Sequence, residues 1–125
     1  MPWFAAHVIM YFKRRQGPQA VFAAWENVHL IEAPDAKDAW AQAERIGHAT
    51  AVDDPTLREV GPDGEHPMKC VFAGVRKVIT VSHERGDDQL GSGDEITFSE
   101  FILESEEAVR QLATGKPTEV TYTDL

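Results

Sequence analysis

Three side chains in the first quarter of the chain could carry acid–base chemistry: Glu26, His7 and His29. A carboxylate beside an imidazole is a common arrangement for moving protons near neutral pH. Glu26 stands out because its neighbours are mostly apolar, and a charge in such a place must be paired, hydrogen-bonded or neutralised. Two other interpretations stay open: an exposed Glu26, or a structural bond to Arg76, Lys77 or a backbone amide. No catalytic residue is assigned beyond these three candidates.

A second group of residues combines flat aromatic rings with polar tips. Such side chains suit a ligand pocket or a protein interface, because they offer large contact area with directional hydrogen bonds. Ordinary core packing would also explain these residues. Of the two functional interpretations, a ligand pocket and a protein interface, the interface of a homodimer is favoured. The predicted binding or interface residues are Trp3, His7, Tyr11, Trp25, Asn27 and His29.

Metal and nucleophile chemistry have no matching pattern in the chain. The five histidines (His7, His29, His48, His66 and His83) show no helical zinc spacing. His66 and Cys70 would be only half a site, and the acidic pairs Asp87-Asp88 and Asp94-Glu95 lack the spacing of a calcium loop. Cys70 lies in a predicted strand, which indicates an inert, buried thiol. We therefore expect no metal and no cofactor.

Length and charge restrict the classes of partner. The chain has 125 residues and a net charge of -9, which predicts a single domain over 1–125 with a core at 3–103 and a C-terminal helix and tail at 104–125. Nucleic acid is excluded, because its phosphates need clustered basic residues. The only basic cluster, Lys13-Arg14-Arg15, falls at an expected turn. The acidic balance instead suits a basic protein partner.

The compartment is inferred from missing features. A single cysteine gives no intramolecular disulfide and fits a reducing environment. The first residues lack the pattern of a secretory signal, and no stretch has the roughly 20 apolar residues that span a bilayer. We expect a cytoplasmic protein of bacterial type that does not bind membranes.

The pattern of the N-terminal third predicts a β-hairpin. From Trp3 to Phe12 every even position is apolar, and the odd positions are aromatic or apolar apart from His7. A turn over residues 13–19 then leads to a returning strand at 21–32. We predict that Phe12 faces Phe22, because this register puts the apolar residues of both strands on one face, interrupted only by Glu26.

The rest of the chain predicts one long amphipathic helix and more strands. Asp35 is a good N-cap for a helix over 36–46, with Gly47 as its C-cap. The predicted buried stripe is Ala36, Ala39, Trp40, Ala43 and Ile46.

Residues 49–67 read as a loop. Strands follow at 68–82, with Gly74 marking a bulge or close approach, and at 96–103. Ser105 caps a helix over 106–113, and residues 118–125 form a last strand or a tail. The fold class is α+β, a mostly antiparallel sheet in the order ββαββα.

The order of these features resembles a family of small bacterial proteins known as domain of unknown function 4288. The resemblance covers residues 3–103, and it is carried by Trp25-Glu26, the segment 28–33, Phe72-Ala73-Gly74-Val75 and the segment 93–101. It implies an α+β domain without an assigned activity, so no catalytic residue is carried over. Asn27 stands where the family often has a second acidic residue, which weakens a two-carboxylate site.

Two function classes follow. The leading prediction is a non-enzymatic binding or interaction protein, a homodimer or a partner of another protein, with an immunity- or antitoxin-like role as one form and a small-molecule ligand as another option. The alternative is a small enzyme using Glu26 with His7 or His29 as its acid/base pair.

Overall fold

A computed structural model describes residues 1–81, 90–97 and 100–123 of the chain. The strands within these residues are β1 (Trp3–Arg14), β2 (Ala24–Glu32), β3 (Arg58–Gly61), β4 (Gly64–Thr80), β5 (Glu100–Ile102) and β6 (Thr121–Thr123). The helices are α1 (Ala36–Thr50) and α2 (Glu106–Ala113). No helix in the described ranges is long and apolar enough to cross a membrane.

The main sheet is antiparallel and has the strand order β2-β1-β4-β3. The α+β class and the mostly antiparallel sheet are thus confirmed. The predicted order ββαββα is wrong because it lacks β3, which lies inside the predicted loop 49–67. Gly61 pairs directly with Gly64 across a two-residue turn, so these turn residues close a hairpin onto β4 instead of ending a long loop.

Helix α1 begins as the sequence predicts and ends later. The Asp35 side chain accepts a hydrogen bond of 2.8 Å from the backbone N–H of Asp38, which confirms the N-cap. The predicted end at residue 46 is wrong, since the helix continues to Thr50 and Gly47 lies inside it. Gly47 is there because Phe72 of β4 packs against its backbone, and a Cβ atom would fall 2.4 Å from that ring.

The core lies between α1 and one face of the sheet. It consists of Phe4, Ala6, Val8, Met10, Ile31, Ala33, Ala39 and Ala43. The even positions of β1 thus form the apolar face, as predicted. The predicted helix stripe is wrong at two positions, since Ala36 and Trp40 are exposed and the buried positions of α1 are Ala39, Ala43 and Gly47.

The predicted register of the first hairpin is wrong by one residue. Ile9 lies opposite Glu26 and Met10 opposite Trp25, so Phe12 aligns with Ala23 instead of Phe22. The Gln19 side chain fixes the connection: it accepts from the Arg14 N–H (2.8 Å) and donates to the Phe12 carbonyl (3.0 Å). A one-residue change moves every side chain of β2 to the other face.

The C-terminal part forms a separate two-stranded sheet, in which β5 pairs with β6. The predicted helix over 106–113 and its Ser105 cap are confirmed, with the Ser105 hydroxyl accepting from the Ala108 N–H at 3.1 Å. The strand predicted at 96–103 is reduced to Glu100–Ile102 among the described residues. The predictions about His83 and Asp87-Asp88 concern residues outside the described ranges.

Candidate functional site

A bulge in β4 brings Arg76 to the side of the sheet opposite α1. His7 lies opposite Lys77 and Val8 lies opposite Val75, so Arg76 has no register partner on β1. An extra residue of this kind bends the strand and changes where its side chain points. A second register shift follows on the other side of Gly74, which confirms the irregularity predicted there.

Arg76 holds Glu26 with two hydrogen bonds. Its Nε donates to Glu26 Oε2 at 2.8 Å, and its Nη2 donates to Oε1 at 2.9 Å. This bidentate geometry is the strong form of an arginine–carboxylate contact. The structural bond to Arg76, one of the open interpretations of Glu26, is therefore present.

His7 completes the polar cluster. His7 is only 3% exposed, and its Nδ1 contacts Glu26 Oε1. Its Nε2 lies 3.0 Å from Oγ1 of Thr97, in the segment 90–97. The side chains of Glu26, His7, Arg76 and Thr97, called the Glu26 cluster below, thus join β1, β2, β4 and that segment.

Electrostatics set the role of Glu26 in this cluster. The Arg76 hydrogen bonds lower the pKa of Glu26 from 4.5 to about 2; burial opposes the shift and His7 adds to it. The carboxylate is therefore ionised at neutral pH and unsuited to exchange protons there. It can orient the His7 ring, as carboxylates do in proton-transfer sites.

The six predicted interface residues do not share a face. Trp3, His7 and Tyr11 belong to the odd face of β1, away from α1. Trp25, Asn27 and His29 align with even residues of β1 and so lie on the α1 side. His29 therefore cannot pair with Glu26. Its Nε2 atom is buried without a hydrogen-bond partner among the described residues.

An apolar groove opens beside Trp25 on the α1 side. It consists of two adjoining depressions of about 470 and 630 Å³, which share Phe12, Trp25 and Leu57 as walls. Further apolar walls come from Met10, Val21, Val52, Met68 and Cys70. We call it the Trp25 groove. Only Trp25 and Asn27 of its lining were predicted as binding residues, because the loop after α1 joins them only in the tertiary structure.

Strand β2 is one edge of the main sheet. The bonds at the two ends of its pairing with β1, Phe12 N–H to Ala23 C=O and Ala33 N–H to Pro2 C=O, show that its odd residues bond to β1. In an antiparallel pair the intervening residues point away. The even residues, from Ala24 to Leu30, thus present their N–H and C=O groups along the edge that no strand of the described residues pairs with, called the free edge below.

Comparison with known proteins identifies the family. Residues 3–96 match the family model described as domain of unknown function (DUF4288). The chain belongs to this family. The resemblance found from the sequence is confirmed, and no curated protein and no solved structure matches the chain. The match contains Glu26, His7 and Arg76 and ends one residue before Thr97.

Several other charged side chains of this DUF4288 domain pair within the chain. Of the predicted basic cluster, Arg14 Nε lies 3.5 Å from Glu59 Oε2, and Arg15 pairs with Asp53. Within residues 1–81, 90–97 and 100–123, no three His, Cys, Asp or Glu side chains are grouped so as to hold a metal ion. His66 Nε2 lies 2.9 Å from Asp63 Oδ2. Burial raises the pKa of the Cys70 thiol, as expected of an inert one.

Proposed function

We propose that this protein is a non-enzymatic interaction module that forms a homodimer through the free edge of β2. The observation that carries the proposal is the row of outward N–H and C=O groups between Ala24 and Leu30. A strand that pairs antiparallel with its own copy obeys two-fold symmetry, so one edge serves as both halves of the interface. The result would be a continuous sheet across two chains.

The side chains of β2 support pairing. Natural sheet edges are commonly protected by lysine, proline or a bulge, but residues 24–30 contain no lysine or proline and pair with β1 without a register shift. Val28 and Leu30 are 43% and 42% exposed. The charge of Glu26 is already bound by Arg76. Near the end of the strand, Gln42 Nε2 contacts the Glu32 carbonyl at 3.5 Å, which leaves the open part between 24 and 30.

Charge selects the register of the pair. A two-fold axis at Val28 places Val28 against its copy and Glu26 opposite Leu30. An axis at Glu26 would place two carboxylates opposite each other, which is destabilising. Each chain carries a net charge of -9, so long-range repulsion opposes the dimer. We expect added salt, which screens it, to strengthen association.

Val28→Pro is expected to yield a monomer. Proline removes an N–H that faces outward, so it blocks pairing between copies and leaves the bonds to β1 in place. Light scattering with size-exclusion chromatography should give twice 13.9 kDa, about 28 kDa, for the unaltered protein and 13.9 kDa for Val28→Pro. Circular dichroism should be the same for both.

Two controls make the test specific. Val28→Thr keeps the N–H and a β-branched side chain and should remain dimeric. Asn27→Pro removes an inward bond to β1 and should destabilise the fold itself. A monomeric unaltered protein across a concentration series, or a Val28→Pro protein of doubled mass, would contradict the proposed dimer. If the edge of β2 bound a basic protein and not a second copy of the chain, the immunity- or antitoxin-like role would replace the proposed homodimer.

A second candidate function is a small enzyme in which His7 is the base and Glu26 orients it. The contact of His7 Nδ1 with Glu26 supports it, and the Thr97 hydroxyl lies within reach of His7 Nε2. Such an enzyme would cleave an activated ester such as 4-nitrophenyl acetate, and His7→Gln and Thr97→Val would each abolish turnover. The same rate for the unaltered protein and for His7→Gln would end this alternative.

A further inference from the structure

We propose that the Trp25 groove is a binding site for a small organic amine with an aromatic or aliphatic body. The site uses side chains on the α1 side of the sheet, between Trp25 and the loop that follows α1, whereas the proposed dimer uses the outward backbone groups of the even residues of β2. Each of the groove's two depressions, of about 470 and 630 Å³, falls within the range of small-molecule sites, roughly 300–1,000 Å³.

The walls of the groove are held in place before any ligand arrives. Trp25 packs edge-on against Phe12 with ring centroids 4.9 Å apart, and Met10 and Met68 in the floor are buried. The Met68 N–H donates to the Leu57 carbonyl at 3.0 Å, which ties the loop to β4. A preformed site of this kind loses little entropy on binding.

Hydrogen bonds also brace the two ends of the groove. Gln19 closes one end by donating to the carbonyls of Phe12 (3.0 Å) and Val21 (3.1 Å). Arg15 donates at 3.1 Å to the carbonyl of Met68, which lines the same depression as Gln19, and pairs with Asp53 in the other depression, so it braces both. Trp25 nevertheless remains 59% exposed. A large aromatic side chain held rigidly and left open to solvent is suited to contact a ligand.

The end of the groove near α1 favours positive charge. Asp53 and Asp54 line it, together with Thr50, the last residue of α1. Arg15 neutralises Asp53. Hydrogen bonds from Thr56, with smaller contributions from the charges of Arg15 and Arg58, lower the pKa of Asp54 and keep it ionised. The carbonyl end of a helix adds negative potential. An indole ring beside these groups attracts cations as well.

Asn27 supplies a polar contact at the same end. Its side chain lines the groove and has no hydrogen-bond partner in the described part of the chain. An amide can accept from an ammonium group. The carboxylate of Asp54 and the amide of Asn27 lie in the depression near α1, and the Trp25 indole is shared by both depressions. Together with the apolar walls, they match an amine whose body fills the shared part of the groove. A second acidic copy of this chain fits that end poorly, since like charges would meet.

Three probes share a naphthalene ring and differ in charge, so they distinguish the effect of charge on affinity from that of apolar contact. They are 2-naphthylmethylamine, 2-naphthylmethanol and 2-naphthoate. Binding is measured by calorimetry and by ¹H–¹⁵N shifts of the Trp25 indole, in both the unaltered protein and Val28→Pro. We expect the amine to bind about tenfold more tightly than the alcohol and the carboxylate not to saturate. Val28→Pro should bind the amine equally well, whether or not the dimer exists.

Variants locate the site. Trp25→Ala should abolish saturable binding, and Asp54→Asn, which can still accept the Thr56 bonds, should reduce amine affinity to that of the alcohol. Trp40→Phe, at an exposed position of α1 outside the groove, is the matched control and should bind normally. Equal affinity for all three probes, shifts that avoid the groove, or amine binding unchanged in both Trp25→Ala and Asp54→Asn would overturn the proposal.

Discussion

Glu26→Gln is expected to lower the free energy of unfolding by about 2 kcal/mol at neutral pH. The substitution keeps the shape of the side chain but removes the charge that Arg76 and His7 contact. Breaking a fully buried ion pair costs about 3–5 kcal/mol. Glu26 keeps 33% of its side chain exposed, so solvent screening reduces that cost.

The pH dependence of stability follows from the same carboxylate. The pKa of Glu26 falls from 4.5 to about 2 on folding, chiefly through the Arg76 hydrogen bonds. The folded state thus favours the ionised form, and this stabilisation is complete above the unfolded pKa of 4.5. It is lost as the pH falls through the window from 4.5 to about 2. The free energy of unfolding of Glu26→Gln should therefore change less with pH across that window than that of the unaltered protein.

Chemical denaturation at neutral pH and at several acidic values measures both effects. Glu106→Gln is a suitable control, because Glu106 pairs with Arg110 at 3.0 Å on the surface of α2 with 83% of its side chain exposed, and such pairs contribute little. Equal denaturation midpoints for Glu26→Gln and Glu106→Gln at neutral pH would show that the Glu26 cluster does not stabilise the fold.

Gly47→Ala is the second substitution with a large expected effect, a loss of about 1–3 kcal/mol in the free energy of unfolding. Alanine favours a helix over glycine by about 1 kcal/mol, so an open position would gain stability. Here the new Cβ would lie 2.4 Å from two ring atoms of Phe72. That ring packs edge-on against His48, with centroids 4.8 Å apart, so it cannot turn aside freely.

A double-mutant cycle checks that this contact is the cause. Phe72→Ala removes the ring and loses its packing, as a large-to-small change does. In that background Gly47→Ala should become neutral or stabilising, because only the helix propensity remains. If Gly47→Ala destabilised both backgrounds equally, the clash with Phe72 would not be the reason.

The sequence alone determined the features that depend on near neighbours along the chain. The Asp35 cap and the Ser105 cap follow from a side chain and a backbone N–H three residues apart. The even positions of β1 share one face because successive side chains of a strand point to opposite sides. A partner for Glu26 was also predictable, since a carboxylate among apolar residues needs one, and Arg76 was among the candidates.

Tertiary structure alone decided which residues meet. The register of β2 depends on how Gln19 closes the turn, and one residue of difference put Glu26 with His7 and removed His29 from that face. The bulge that aims Arg76 at Glu26 and the ring against Gly47 arise between residues distant in sequence. Glu26, first noted as a lone charge among apolar residues, is in the fold a bound anion that joins three strands. Side chains alternate with a period of two along each strand, so the sequence of a strand does not fix its register against its neighbour. Packing between distant residues decides that register.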